Sequence, residues 1–123
     1  MDLYVNDTSQ RIESLEELDE RLQAVETQNP LDLSISVAEG PSLQMLRSES
    51  HAFLMYLREP GDSGFVSGRS RPMTPTVKFT LGNGQIDEYP RAWCIPVEEC
   101  FKAFVFFYVN NGLKPTWIQW HES

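Results

Sequence analysis

The sequence contains few cysteine, histidine and basic residues. Its 123 residues include two cysteines and two histidines, and the spacings of these four match no zinc-binding pattern. We therefore expect no metal site, no cofactor and, in a reducing compartment, no disulfide between Cys94 and Cys100. Ten lysines and arginines against eighteen acidic residues give a net charge of −8. Because such a charge repels polyphosphate and anionic lipid, direct binding to nucleic acid or a membrane surface is disfavoured.

Long hydrophobic runs are absent as well. No segment approaches the roughly 20 apolar residues of a membrane-spanning helix, and the Met1-Asp2 start lacks the basic and apolar regions of a signal peptide. We therefore expect a cytoplasmic protein without a membrane anchor. The length suits one domain over residues 1–123, and an apolar content of 41% is enough for a globular core.

The acidic excess is confined to one half of the chain. Residues 1–60 hold twelve acidic and four basic residues, whereas residues 61–123 hold six of each. A charged surface of this kind keeps a protein soluble, and it also attracts a basic partner. Both interpretations stay open at this point.

Two segments have helical periodicity. The first, predicted over Ser14–Gln28, opens with the capping-box pair Ser14 and Glu17. The second, predicted over Pro96–Asn111, begins with a proline and is followed by Gly112, which suits a left-handed cap. One face of each helix should be buried, and the core positions expected on these faces are Leu18, Leu22, Phe101, Phe104 and Tyr108.

The intervening segments alternate or turn in the manner of strands. Strict alternation of apolar and polar residues over Leu31–Ala38 predicts a half-buried strand. Gly82-Asn83-Gly84 fits the tight turn of a hairpin. Further short strands are predicted at Asp2–Asn6, Ser42–Arg47, Ala52–Arg58, Thr76–Leu81, Gln85–Tyr89 and Trp117–Trp120. The sequence therefore predicts an α+β fold, a mainly antiparallel sheet in a single domain with two principal helices packed on it.

One short run, Gly61-Asp62-Ser63-Gly64, is similar to the nucleophile loop of trypsin-like proteases. With His51 as base it would give a small hydrolase, but the chain is too short for the double barrel of those enzymes. A Pro-Gly-Asp-Ser-Gly run is more typical of a turn in which Asp and Ser bond the backbone. Asp87 and Glu88 are adjacent in a strand and face opposite sides, so they form no acid-base pair. We therefore predict no catalytic residues and no enzymatic activity.

The second half of the chain holds a series of short motifs in order. They are Glu59-Pro60-Gly61-Asp62-Ser63-Gly64-Phe65, Leu81-Gly82-Asn83-Gly84-Gln85, Asp87-Glu88-Tyr89-Pro90, Trp93, Pro96 with Glu98-Glu99, Gly112-Leu113-Lys114-Pro115 and Trp117-Ile118-Gln119-Trp120. In order and spacing, residues 53–121 resemble the type 1 immunity proteins of bacterial polymorphic toxin systems. The resemblance implies a small α/β protein without enzymatic activity, encoded beside a toxin. Such a protein binds and blocks the toxic domain, often a nucleic-acid deaminase.

Acidic and aromatic residues are the candidates for contact with a toxin domain. The acids would steer a basic domain toward the surface, and the rings would hold it; the six are Asp62, Phe65, Asp87, Glu88, Trp117 and Trp120. Two alternatives stay open. Phe106 lies opposite the predicted buried arc and should be partly exposed, which would suit a non-enzymatic adaptor or a homodimeric scaffold. The other is the hydrolase that uses Asp62, Ser63 and His51. The oligomeric state of the free protein is not set by the sequence.

Overall fold

Three layers make up the molecule, namely two helices, a large sheet and a hairpin. The computed structural model describes residues 1–71 and 74–123. The strands of these described residues are β1 (Asp2–Val5), β2 (Thr8–Arg11), β3 (Leu31–Ser36), β4 (Ser42–Ser48), β5 (His51–Leu57), β6 (Phe65–Ser67), β7 (Thr76–Thr80), β8 (Ile86–Pro90) and β9 (Trp120–Glu122). The α-helices of the same residues are α1 (Leu15–Val25) and α2 (Val97–Val109).

The sheet is antiparallel throughout, with the strand order β2-β1-β3-β4-β5-β6-β9, while β7 and β8 pair only with each other. Both helices pack on one face of this sheet, and the fold is α+β in a single domain, as predicted. The predicted antiparallel pairing is confirmed, with Leu33 opposite Met45 and Leu46 opposite Phe53. In the described part of the chain no helix is long and apolar enough to cross a membrane.

Three parts of the sheet differ from the prediction. The sequence did not predict β2, because its four residues are all polar and show no alternation. It did not predict β6 either, because three residues are too few for a period of two to be recognised. The predicted terminal strand was wrong for Trp117 and Ile118, which lie in a bend, and β9 begins only at Trp120.

Helix α1 begins where the sequence predicts. The hydroxyl of Ser14 accepts a hydrogen bond from the backbone N–H of Glu17 at 3.1 Å. In a standard capping box the Glu side chain accepts from the backbone N–H of the N-cap residue, here Ser14. The Glu17 carboxylate instead accepts from the N–H of the preceding residue, Glu13, at 3.3 Å. The helix ends three residues earlier than predicted. The Arg47 guanidinium donates to the carbonyl of Glu26 at 2.5 Å and so satisfies a carbonyl that the helix leaves open.

Helix α2 presents a different face to the sheet from the one predicted. Phe101 and Tyr108 were expected to be almost fully buried, and this was wrong because both are only half-buried. The buried arc is turned by roughly 60° on a helical wheel, and its members are Cys100, Ala103, Phe104 and Phe107. Phe107 packs edge-on to Tyr56 of β5 with ring centroids 6.3 Å apart. Phe101 instead lies beside α1, and Tyr108 lies near Met1 and Ile12.

Two predicted glycine turns are confirmed. Gly84 has φ +88° in the turn between β7 and β8, and Leu81 donates to the carbonyl of Gln85 at 2.8 Å across it. Gly112 has φ +89° just past α2, and its N–H donates to the carbonyl of Phe107 at 2.8 Å. Glycine takes these left-handed conformations without steric cost.

The two faces of the sheet bury separate cores. On the helix side the fully or nearly fully buried residues are Leu3, Ile12, Leu18, Leu22, Val25, Leu31, Leu33, Ile35, Leu43, Met45, Ala52, Leu54, Tyr56, Cys100, Ala103, Phe104, Phe107 and Ile118. On the hairpin side they are Leu46, Phe53, Val66 and Phe79. The ring of Phe53 lies 5.0 Å from those of Phe79 and Tyr89 and 5.6 Å from that of Trp93, measured between centroids. Aromatic packing therefore fixes the hairpin to the sheet.

Asp32 holds the tip of the hairpin. One carboxylate oxygen accepts from the backbone N–H of Gly82 at 2.9 Å, and the other accepts from the Gln44 amide at 2.8 Å. A Cβ at Gly82 would collide with the backbone of Asn6. Only glycine at position 82 therefore allows the hairpin tip to lie this close to the turn after β1.

Candidate protein-binding surfaces

Asp62 and Ser63 lie in a turn that is remote from His51. His51 is the first residue of β5, whereas the turn follows the end of that seven-residue strand, a separation of about 20 Å along the strand. The Asp62 carboxylate accepts from the Arg58 guanidinium through two bonds of 2.9 Å and from the Arg58 backbone N–H at 3.0 Å. The predicted turn and the bond of Asp62 to its backbone are confirmed, and the three residues of the hydrolase alternative are not brought together.

The ion pair with Arg58 determines the protonation state of the Asp62 carboxyl. Hydrogen bonds from the Arg58 guanidinium and backbone hold the pKa of the Asp62 carboxyl well below its usual range, and the same contact raises the pKa of Arg58. The Asp62 side chain is only 9% exposed, whereas that of Arg58 is 63% exposed. The Asp62 carboxylate is therefore directed into its own turn, and the Arg58 side chain faces solvent.

Phe65 lies between two cations. The Lys114 ammonium is 3.7 Å from the centroid of the Phe65 ring, and the Arg58 guanidinium carbon is 5.2 Å from it. Such contacts stabilise a ring and a cation mutually. Phe65 is half-buried in β6 opposite Glu122. The ring is thus covered in part by the protein's own basic side chains.

Trp117 is exposed but firmly held. Its residue surface is 45% exposed, whereas Trp93 and Trp120 are half-buried. Its ring stands edge-on to Phe106 with centroids 5.2 Å apart. Its indole N–H donates to the Glu99 carboxylate at 2.7 Å. Phe106 is partly exposed, as predicted, and Trp117 is the residue that covers it.

Trp120 is more enclosed. Its indole N–H donates to the carbonyl of Pro115 at 2.9 Å, and its ring lies 6.3 Å from that of Tyr56. Trp120, Phe65 and Trp117 all pack from the helix side of the sheet, since Phe65 and Trp120 border the helix-side core and Trp117 contacts α2. These three aromatic candidates therefore share one side of the molecule.

Asp87 and Glu88 lie in the hairpin, on the other side of the sheet. Asp87 accepts from the Gln85 amide at 2.8 Å and from the Tyr89 hydroxyl at 3.3 Å. Burial, together with the Asp87 charge, raises the pKa of Tyr89. Glu88 is exposed and lies opposite Lys78 in the register of the two hairpin strands. The structure therefore places Asp87 and Glu88 on the opposite side of the sheet from Phe65, Trp117 and Trp120.

A groove between α1 and α2 escaped the sequence analysis. It has a volume of about 520 Å³ and is lined by Asp19, Leu22, Gln23, Glu26, Thr27, Arg47, Val97, Glu98 and Phe101. Phe101, which is only half-buried, lies in this lining with residues of both helices. The periodicity of each helix could not reveal this, since the groove depends on how far apart the two helices lie.

The cysteines and histidines form no assembled site. Cys94 and Cys100 are both free thiols, and burial raises the pKa of each, so both stay protonated. Cys100 is fully buried in the helix-side core, where it fills space. Over residues 1–71 and 74–123, no cluster of three or more His, Cys, Asp or Glu side chains could hold a metal ion.

No protein-family model matches this chain, and a search of curated proteins gives no match either.

Proposed function

We propose that this protein is an immunity protein of the cytoplasm that binds and neutralises a cognate bacterial toxin domain. A nucleic-acid deaminase is the toxin we favour, and the mode we favour is coverage of its active or substrate-binding surface. The motif resemblance over residues 53–121 supports this proposal. The observation that carries it is Trp117, an exposed indole fixed on the helical side of the molecule by Phe106 and Glu99.

An anchor of this kind suits tight binding. Interfaces draw much of their affinity from a few aromatic residues near the centre, tryptophan above all. Binding normally costs conformational freedom for each side chain that it immobilises. The indole of Trp117 is already oriented by a ring contact and a hydrogen bond, so little of that freedom is left to lose.

Charge supports the same type of partner. Toxins that act on DNA or RNA need a substrate surface that tolerates phosphate, and such surfaces are basic or polar. A protein with a net charge of −8 complements them and is attracted over a distance. Glu99, which lies in the first turn of α2 and accepts the hydrogen bond of the indole, places an acidic group directly beside Trp117.

The end of α2 favours a second candidate function. Val109 is 56% exposed and Leu113, just beyond the helix, is 60% exposed. Together with Phe106 and Trp117 they would give an adaptor or a homodimeric scaffold an apolar contact area. Sedimentation of the free protein at high concentration separates the two functions, because a toxin-binding monomer stays monomeric whereas the scaffold dimerises.

A growth assay tests the proposal. The toxin domain encoded beside this gene is expressed in a sensitive bacterium with and without the protein, and co-expression is expected to restore growth. The variant Trp117→Ala should lose most of the protection, whereas Ile86→Ala should keep it. Ile86 is the control because it is also an exposed apolar side chain, at 63% against 45% for Trp117, and lies on the hairpin side. A neighbouring gene without a toxin domain, or growth arrest despite co-expression, would contradict the proposal.

A further inference from the structure

The groove between α1 and α2 combines an apolar floor with an acidic rim. We infer that it is a docking site for a basic amphipathic segment of a partner protein, in addition to the Trp117 surface. That the partner is a toxin rests on the proposed function, whereas the chemistry of the segment follows from the groove itself.

The floor of the groove is apolar. Leu22 of α1 and Val97 and Phe101 of α2 contribute it. Leu22 is 7% exposed, while Val97 and Phe101 are half-buried and so keep part of their surface in contact with solvent. A volume of about 520 Å³ is within the range of binding pockets, roughly 300–1,000 Å³. The floor can therefore receive apolar side chains from outside.

The rim of the groove is acidic. Asp19 and Glu26 lie on one side and Glu98 on the other, and all three are exposed. Within residues 1–71 and 74–123, none of these three carboxylates has a basic group within 4.0 Å. Arg47, also in the lining, donates to the backbone carbonyls of Glu26 and Glu49 instead. The rim thus keeps a net negative charge that only a cationic occupant complements.

The spacing of the carboxylates favours a helical segment. Asp19 and Glu26 are seven residues apart, which is about 10 Å along a helix axis. Two lysines or arginines separated by two turns of an incoming helix match this distance, and apolar residues three and four positions after the first would face Leu22 and Phe101. A second copy of this chain is a poor occupant, because residues 1–60 of each copy carry twelve acidic residues against four basic ones and would repel.

The groove and the Trp117 surface flank the same helix. Val97, Glu98 and Phe101 face the groove, while Pro96 and Glu99 line a smaller cleft of about 280 Å³ with Trp117 on the opposite flank. A single partner that covers Trp117 therefore reaches the groove across the width of α2, without crossing the sheet. This arrangement would extend the contact area of the proposed interface.

Synthetic peptides test the inference without any toxin. The probe is a 15-residue alanine- and glutamine-based helical peptide with two lysines seven positions apart and leucines three and four positions after the first lysine. Its two counterparts carry glutamates in place of the lysines or serines in place of the leucines. Binding is followed by fluorescence anisotropy and by amide shifts of the ¹⁵N-labelled protein at low salt.

The lysine and leucine peptide should bind, with amide shifts concentrated at Gln23, Thr27, Glu98 and Phe101, and both counterparts should bind much more weakly. The double variant Asp19→Asn, Glu26→Gln should weaken binding about fivefold. The control Glu16→Gln, Glu20→Gln removes the same charge from exposed positions of α1 outside the groove lining and should change binding less than about twofold.

Equal affinity for the three peptides, shifts outside the groove, or equal losses in the two double variants would overturn the inference. Failure of the proposed function is distinguishable from this. Peptide binding without growth rescue by the unmodified protein rejects the toxin and leaves the groove as a docking site. Growth rescue without peptide binding rejects the docking site alone.

Discussion

The indole of Trp117 and the ring of Phe106 meet edge-on, with centroids 5.2 Å apart. Eleven positions separate the two residues, and the turn at Gly112 brings the chain back along α2 to make the contact. Because the Glu99 carboxylate also accepts from the indole at 2.7 Å, the exposed ring has a fixed orientation before any partner arrives. An exposed and oriented tryptophan is the feature on which the proposed interface depends.

The first prediction concerns that ring. The variant Trp117→Ala should weaken the complex with the toxin domain by on the order of 2 kcal/mol, about thirtyfold in Kd. Its thermal stability should change little, because the side chain is 45% exposed. Isothermal titration calorimetry measures the first effect and a thermal melt the second. The control Ile86→Ala should leave the affinity unchanged. An affinity that Trp117→Ala also leaves unchanged would show that Trp117 lies outside the interface.

The Asp62 and Arg58 pair predicts a dependence of stability on pH. Because Arg58 lowers the pKa of Asp62 in the folded protein, ionised Asp62 stabilises the fold at all pH values above its unfolded pKa of about 4. That contribution declines as the pH falls below this value and is lost fully only below the lower pKa of the folded state. The variant Asp62→Asn should therefore be less stable than the unmodified protein at pH 7, and the difference should shrink at pH 3. Urea unfolding at the two pH values measures it.

The control for the Asp62 experiment is Asp7→Asn, which removes the same charge at an exposed position outside any ion pair of the described residues. A difference between Asp62→Asn and the unmodified protein that is equal at pH 7 and pH 3 would contradict the linkage.

The buried arc of α2 predicts an order of destabilisation. Phe107→Ala should lower the free energy of unfolding by about 3–5 kcal/mol, because it opens a cavity in the helix-side core. Phe101→Ala should cost less than half as much, since Phe101 borders the groove and is only half-buried. Urea unfolding of both variants measures the order. A larger loss of unfolding free energy for Phe101→Ala than for Phe107→Ala would contradict this order and support the buried face that the sequence predicts.

The link between Asp32 and the hairpin predicts a local effect. Asp32→Ala leaves the Gly82 N–H and the Gln44 amide without their acceptor, which should cost about 1–3 kcal/mol. Hydrogen exchange at the Gly82 amide should become faster than in the control Ser34→Ala, which changes another polar residue of β3 on the same face. Unchanged exchange at Gly82 would show that aromatic packing alone holds the hairpin.

Local patterns in the sequence predicted the elements that depend on local physics. The Ser14 cap, the Gly84 turn and the alternation of β3 are each set by a few neighbouring residues, and all three are confirmed. The face that α2 buries depends on long-range packing of Phe107 on Tyr56. The helical wheel contains no such information and therefore placed Phe101 in the core wrongly.

The candidate binding surfaces could likewise be predicted only in part from the sequence. The motif resemblance and the positions of acidic and aromatic residues indicated that Trp117 and the acidic residues were candidates for contact. These patterns could not show that Asp62 turns inward onto Arg58 or that Asp87 lies on the opposite side of the sheet from Trp117. The groove beside Phe101 also required the distance between two helices, which no local pattern contains.

The most direct test of the account is the rate at which the protein and the toxin domain associate and dissociate at different salt concentrations. Raising the salt from about 20 to about 150 mM shortens the range of charge interactions. The association rate constant should then fall about tenfold or more, because steering by a net charge of −8 is screened, while the dissociation rate constant stays nearly constant. Trp117→Ala should do the reverse and mainly speed dissociation. No complex between the two proteins, or an association rate that is indifferent to salt, would contradict the account.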